Sequence, residues 1–184
     1  ATACDKIITH ARQKEKRIIR NIQKGNWGDD RMKIRKYNLE LDKNKHPFLV
    51  KECETNYNVD ILNTPLLIAD MANSLYRLDK QAEEYCYLIA LNTKCRVLGT
   101  FELAHGNDKS SITDCKGIFT RILLTGANSF ALIHNHPSGD ATPSKDDFYI
   151  TEKIKKSSEI MNIDFLDHII IGDQFYSMRE TCFL

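Results

Sequence analysis

The stretch FALIHNHPSGDATPSKDD, residues 130–147, constrains the fold more than any other part of the chain. It opens as an apolar run of strand character and closes in polar residues. Proline, glycine and aspartate in PSGDATP each supply a backbone state that a reversal needs, so the chain turns back after His136. Ser144 then stands as a helix N-cap, and Asp147, three residues later, takes the acidic position of a capping box. Strand, reversal and helix start are thus written into one short span.

If residues 130–136 form a strand, successive side chains alternate faces, so His134 and His136 point one way and Asn135 the other. Two imidazoles one strand step apart can converge on a single metal ion. Asp147, in the first helical turn, faces back toward the strand end. His134, His136 and Asp147 then make three protein ligands and leave a fourth tetrahedral place for water, as in hydrolytic zinc sites. Each piece has an ordinary meaning by itself: His-x-His is common, Ser-x-x-Asp usually only caps a helix, and PSGD is a turn. The specificity lies in having all three in the order that one site needs. Such a site also uses a carboxylate that takes a proton from water, and it need not be close in sequence. Glu83 and Glu84, just ahead of the apolar run 85–91, are the candidates. Spacing does not choose between them, and a solvated pair closing a helix is the plainer reading.

The rest of the chain alternates helical and strand-like segments. DILNTPLLIADMANSLYRLDKQAEEY reads as a helix capped by Thr64, with Pro65 at its first position. YCYLIALN (85–92) and RVLGTFEL (96–103) read as a hairpin around NTKC. SITDCKGIFTRILLTGAN reads as a helix entered at Ser111 or Thr113 and stopped near Gly126. DDFYITEKIKKSSEIM reads as a helix, and FLDHIIIGDQFYSM as two strands about a turn at Gly172 and Asp173. The expected fold class is α/β, a mixed sheet flanked by helices.

Charge is unevenly spread. Residues 1–46 hold 13 basic against 6 acidic residues, hence +7, and residues 47–184 hold 13 against 19, hence −6. In KIITHARQKEKRIIRNIQKGNWGDD, Ile7, Ile8, Ala11, Ile18, Ile19 and Ile22 favour one face of a helix, Gly25 lies past its end, and NWGDD reads as a loop. The expected division is a basic helical extension over 1–46 and a domain over 47–184. The extension would dock on the body or on a second copy, making a homodimer; the sharper alternative is an arm that meets phosphates. No aromatic residue is interleaved with the lysines and arginines of that helix, so base stacking has nothing to use there, and nucleic acid is the minor reading.

Other classes are disfavoured. No apolar run approaches the roughly 18 to 20 residues that span a bilayer, and the first residues lack a secretory pattern. The six cysteines are scattered with no Cys-x-x-Cys pair, so free thiols are expected. The expectation is a soluble, cytoplasmic protein with no membrane partner.

His134-x-His136, seven residues, Ser144, two residues and Asp147 resemble the JAMM motif of the JAB/MPN metalloprotease superfamily. LVKE (49–52), LNTKCRVLGT (91–100), HNHPSGDATPSKDD (134–147) and LDHIIIGDQFYSMRE (166–180) resemble the JAB domain of the bacterial RadC family, from about residue 47 to the C-terminus. That resemblance implies a cytidine-deaminase-like fold and a Zn2+ ion held by His134, His136, Asp147 and a water. It puts the general acid and base on Glu84 and gives Ser144 a role in stabilising an oxyanion. The implied function is a zinc-dependent hydrolase that cleaves an amide or isopeptide bond in a protein or peptide. A reading from another class is a DNA-repair or mobile-element accessory protein, in which the metal is structural and the domain binds partners or nucleic acid. A nucleotide deaminase is disfavoured, because the Pro-Cys-x-x-Cys ligand pair is absent. The chain departs from the family in two places. Residues 1–46 are too short for the helical DNA-binding-like region of RadC proteins, and FELAHGNDKSS departs from the GT-L-N-A-S wording, so no role is carried to His105. His168 matches the family's Asp-His pair, with a satisfied core histidine as the plainer reading.

Overall fold

A computed structural model describes residues 32–106, 114–181 and 183–184. The helix expected over residues 7–22, the loop at 26–30 and the helix entry at Ser111 or Thr113 lie outside the described residues. In chain order the elements are β1 (Met32–Leu41), β2 (Pro47–Tyr57), α1 (Pro65–Tyr76), a 3-10 turn at Leu78–Lys80, β3 (Tyr85–Leu91), β4 (Val97–His105), α2 (Cys115–Thr125), β5 (Ser129–Asn135), α3 (Lys145–Met161), β6 (Asp164–Ile171) and β7 (Phe175–Ser177). The strands form one seven-stranded sheet in the order β2-β1-β4-β3-β5-β6-β7. β1 with β4 and β5 with β6 run parallel, and the other neighbours antiparallel.

The sheet is mixed and helices cover both faces. Ile89, Ala131, Ile133 and Ile169 pack under Ile68, Met71 and Ala72 of α1 on one face. Leu88, Phe130 and Leu132 pack under Ile118 and Ile122 of α2 and Ile150 and Ile154 of α3 on the other. β5 is therefore buried along its whole length, which is why it reads as a continuous apolar run rather than an alternating one. The helix starts are local chemistry. Thr64 Oγ1 accepts from the Leu67 N–H ahead of Pro65, and Gly126 and Asn162, both left-handed, close α2 and α3.

The sheet begins inside the stretch assigned above to the basic helical extension. Met32–Leu41 is a strand, paired along its length with β2. Lys33 and Arg35 stand two residues apart on the strand, Lys36 follows directly with its ammonium over the Tyr87 ring, and the partners of all three lie past residue 46. Arg35 Nε is 2.7 Å and Lys33 Nζ 3.2 Å from Glu54. Lys36 Nζ reaches Glu52 at 3.2 Å and Glu102 at 3.0 Å. The basic bias of the head is thus partly a bookkeeping effect of cutting cross-strand ion pairs at residue 46. The four described cysteines, Cys53, Cys86, Cys95 and Cys115, are free thiols. Among the described residues no helix is long and apolar enough to cross a membrane.

Asp167 fixes the turn after β7. Its buried carboxylate accepts from Ser177 Oγ (2.6 Å) and from the Arg179 N–H (3.0 Å). Burial pushes its pKa up to about 6, against the pull of those donors. Raised in the fold above its unfolded value, the group binds more protons folded than unfolded between about pH 4 and 6. Its contribution to stability therefore falls as pH rises through that window. Asp167→Asn should remove this component. The wild-type minus variant difference in unfolding free energy is expected to drop by up to about 1.4 kcal/mol per pH unit there, read by urea titration at pH 4.5 and 6.5.

Candidate metal centre

β5 ends between β3 and β6, and α3 starts beside it. The residues that follow β5 thus lie at the carboxyl end of the parallel pair β5 and β6, where a helix N-terminus also points, a usual place for a site in an α/β sheet. His134 is the last inward residue of β5 on the α2 and α3 face, 1% exposed. His136 follows the strand, its N–H bonded to the Ile171 carbonyl at 2.8 Å. The reversal then docks on the turn between β6 and β7, where Asp173 N–H meets the Gly139 carbonyl at 2.7 Å. Gly172 permits this approach, since a methyl group there would fall on the Gly139 carbonyl. Gly139 itself has φ +84, a left-handed state that glycine takes at no steric cost. Ser144 and Asp147 form the expected capping box at the head of α3.

These elements bring His134, His136 and Asp147 together. The two Nε2 atoms are 3.1 Å apart. One oxygen of Asp147 lies 3.4 Å from His134 Nε2 and the other 3.6 Å from His136 Nε2. An ion with tetrahedral bonds of about 2.05 Å sets its ligand atoms about 3.3 Å apart, so the spacing fits zinc. A carboxylate oxygen of Glu84 also lies within 4.8 Å of a ring nitrogen of each histidine. Two carboxylates thus approach the same imidazole pair. Asp147 is clamped by its own helix start, at 3.4 and 3.6 Å from the two ring nitrogens, and it and Glu84 are the two carboxylates that could complete a metal site with the histidines. Glu83 points elsewhere: its carboxylate holds His105 Nε2 at 2.5 Å, and His105 stacks on Tyr85.

Hydrogen bonds set the tautomers. Thr151 donates to the Asp147 carbonyl at 2.6 Å, so its oxygen accepts from His168 Nδ1–H, also at 2.6 Å. Burial lowers the His168 pKa to about 4, so the ring is neutral and its Nε2 is an acceptor. That atom is 2.9 Å from His134 Nδ1, which must then carry the proton. His136 Nδ1 donates to the Asp140 carbonyl at 2.8 Å. Both Nε2 lone pairs consequently face each other and Asp147, an arrangement that calls for a cation among them. The hydrogen bond to Asp147 raises the His136 pKa, against burial. Burial pushes Asp147 up, but His136, His134 and Ser144 more than offset it and hold the carboxyl well below the usual range. When His136 is protonated its second proton stands where the ion would be, and the donor set of the neutral rings fits a divalent metal with nitrogen and oxygen ligands.

Ser144 Oγ donates to Asp147 Oδ2 at 2.6 Å and accepts from the Asp147 N–H at 3.2 Å. In this arrangement its hydroxyl holds the ligand carboxylate; polarising an oxyanion requires that proton to turn away. Sequence reasoning did not find Thr151, although it lies one turn after Asp147 on the same helix face. It reached His168 only through the resemblance. His168→Leu removes the acceptor that fixes His134. Zinc affinity, measured by chelator competition, is expected to weaken about 10- to 100-fold, the usual cost of losing such an outer partner.

The sequence model of the RadC-like JAB domain matches residues 62–183. Among curated relatives, a UPF0758 protein of Clostridium botulinum is 43% identical over 122 residues, covering 66% of this chain and 52% of that protein. A UPF0758 protein of Bacillus licheniformis is 39% identical over 104 residues, covering 56% and 46%. One from Clostridium perfringens is 42% identical over 99 residues, covering 53% and 44%. The chain spans about half the length of the curated relatives it matches.

Proposed function

The chain belongs to the RadC-like JAB domain family, and on that premise we propose that it is a zinc-dependent hydrolase of amide or isopeptide bonds in proteins or peptides. The observation that carries this reading is the convergence of two Nε2 lone pairs and the Asp147 carboxylate, with Glu84 beside them. A zinc ion there supplies Lewis acidity to a carbonyl and to water. His134, His136 and Asp147 would hold it, their orientations fixed by His168, the Asp140 carbonyl and Ser144. Glu84 takes a proton from the attacking water and delivers it to the leaving amine nitrogen, so water adds across the C–N bond. Ser144, once its hydroxyl leaves Asp147, donates to the oxygen on which charge develops.

The test is metal analysis of protein purified without chelator, with hydrolysis of a quenched fluorescent peptide library and of isopeptide-linked probes. About one zinc per chain and cleavage that chelator abolishes would support the reading. A zinc-loaded chain that cleaves neither probe set would sink it. For the nucleic-acid reading, the described cations of β1 are already paired with Glu52, Glu54 and Glu102, so no observation favours it. Binding to duplex DNA that falls steeply with salt would reverse that judgement.

A further inference from the structure

Asn135, between the two histidines, faces away from them and is 1% exposed. Both ends of its carboxamide are bonded. Oδ1 accepts from the Tyr85 N–H at 2.8 Å, and Nδ2 donates to the Glu83 carbonyl at 2.9 Å. Those two groups belong to the peptide planes on either side of Glu84. Holding both planes fixes both soft torsions of that residue. The registered ladder between β3 and β5 ends at Cys86 and His134, so the side chain takes over where strand pairing stops. A third bond, from the Gly106 N–H to the Glu84 carbonyl at 2.7 Å, secures the other side.

We propose that Asn135 is a positioning residue, which fixes the backbone of Glu84 and so aims its carboxylate at the histidine pair. The proposal rests on the reading of Glu84 as the acid and base. A carboxamide offers an acceptor and a donor side by side in one plane without needing to be protonated, which matches an N–H and a carbonyl two bonds either side of one Cα. The same residue joins the strand that carries His134 and His136 to the residue that must stand over them. One side chain thereby couples the ligand strand to the base.

The experiment uses the zinc-loaded chain and two readouts. In NMR the Tyr85 amide should be strongly protected from exchange, and Glu84 should be as ordered as the sheet. Asn135→Ala should lose that protection and lower the Glu84 order parameter from about 0.85 to below about 0.6, with zinc affinity within about threefold of wild type. On the fluorescent peptide library, kcat should fall about 10- to 100-fold with KM little changed, as for a misplaced catalytic group. In a Glu84→Gln background, Asn135→Ala should add nothing. Unchanged exchange and order would overturn the proposal, and so would a full additive loss in the double variant. Should Asn135→Ala fail to fold, Asn135→Ser replaces it. Its single hydroxyl is too short to span both the Tyr85 N–H and the Glu83 carbonyl, so Glu84 should loosen; a rigid Glu84 there counts against the clamp. If wild type cleaves no probe, the hydrolase reading fails, while exchange and order still decide the clamp.

Discussion

Glu84→Gln is expected to keep about one zinc per chain and to lower turnover of a cleavable peptide by roughly 100- to 10,000-fold, the range that general acid and base catalysis contributes. Glutamine preserves the shape, and the backbone bonds from Asn135 and Gly106 do not involve the side chain. What disappears is a group that can both accept and return a proton. The metal should stay if His134, His136 and Asp147 are its ligands as proposed, Asp147 lying at 3.4 and 3.6 Å from the two ring nitrogens. Metal analysis beside the rate measurement separates the two roles. Loss of zinc in this variant would make Glu84 a ligand, and undiminished turnover would leave the reaction without its assigned base.

The segment that builds the centre was legible because its signals are local. The apolar run, the turn residues after His136 and the box between Ser144 and Asp147 each act within a few residues, and the structure follows them in order. The first strands were not legible as part of the sheet. Lys33, Arg35 and Lys36 look like a basic head until Glu54, Glu52 and Glu102 are laid across from them, and that pairing depends on register over a long separation. The same limit applies to His168 and Thr151, which meet only because β6 and α3 lie side by side. It applies equally to the two glutamates ahead of β3. A register of alternating faces turns Glu83 toward His105 and leaves Glu84 near His134 and His136, yet neither neighbour is close in sequence.

His134→Ala combined with His136→Ala is expected to abolish stoichiometric zinc binding, because the carboxylates that remain, Asp147 and Glu84, do not replace two imidazoles as ligands for a borderline-soft ion. In wild type, zinc at 100 times its Kd should stabilise the fold by about 2.7 kcal/mol, and chelator should remove that increment from the wild type alone. The pH dependence follows from the proton that occupies the site without metal. The His136 pKa is raised chiefly by Asp147, so its stabilising charge is present below the ordinary histidine value and is lost as pH rises through the raised one. Asp147 is lowered, so its share is present above the ordinary carboxylate value and fades as pH falls below about 4. Between those limits the two form a proton-bridged pair, and zinc must displace that proton. Apparent zinc affinity should therefore weaken about tenfold for each pH unit below the His136 transition, measured by chelator competition from pH 8 to 5.5. An affinity flat across that range would mean that the ion, if bound, does not enter between His136 and Asp147. The ligand set would then have to be sought elsewhere on the chain.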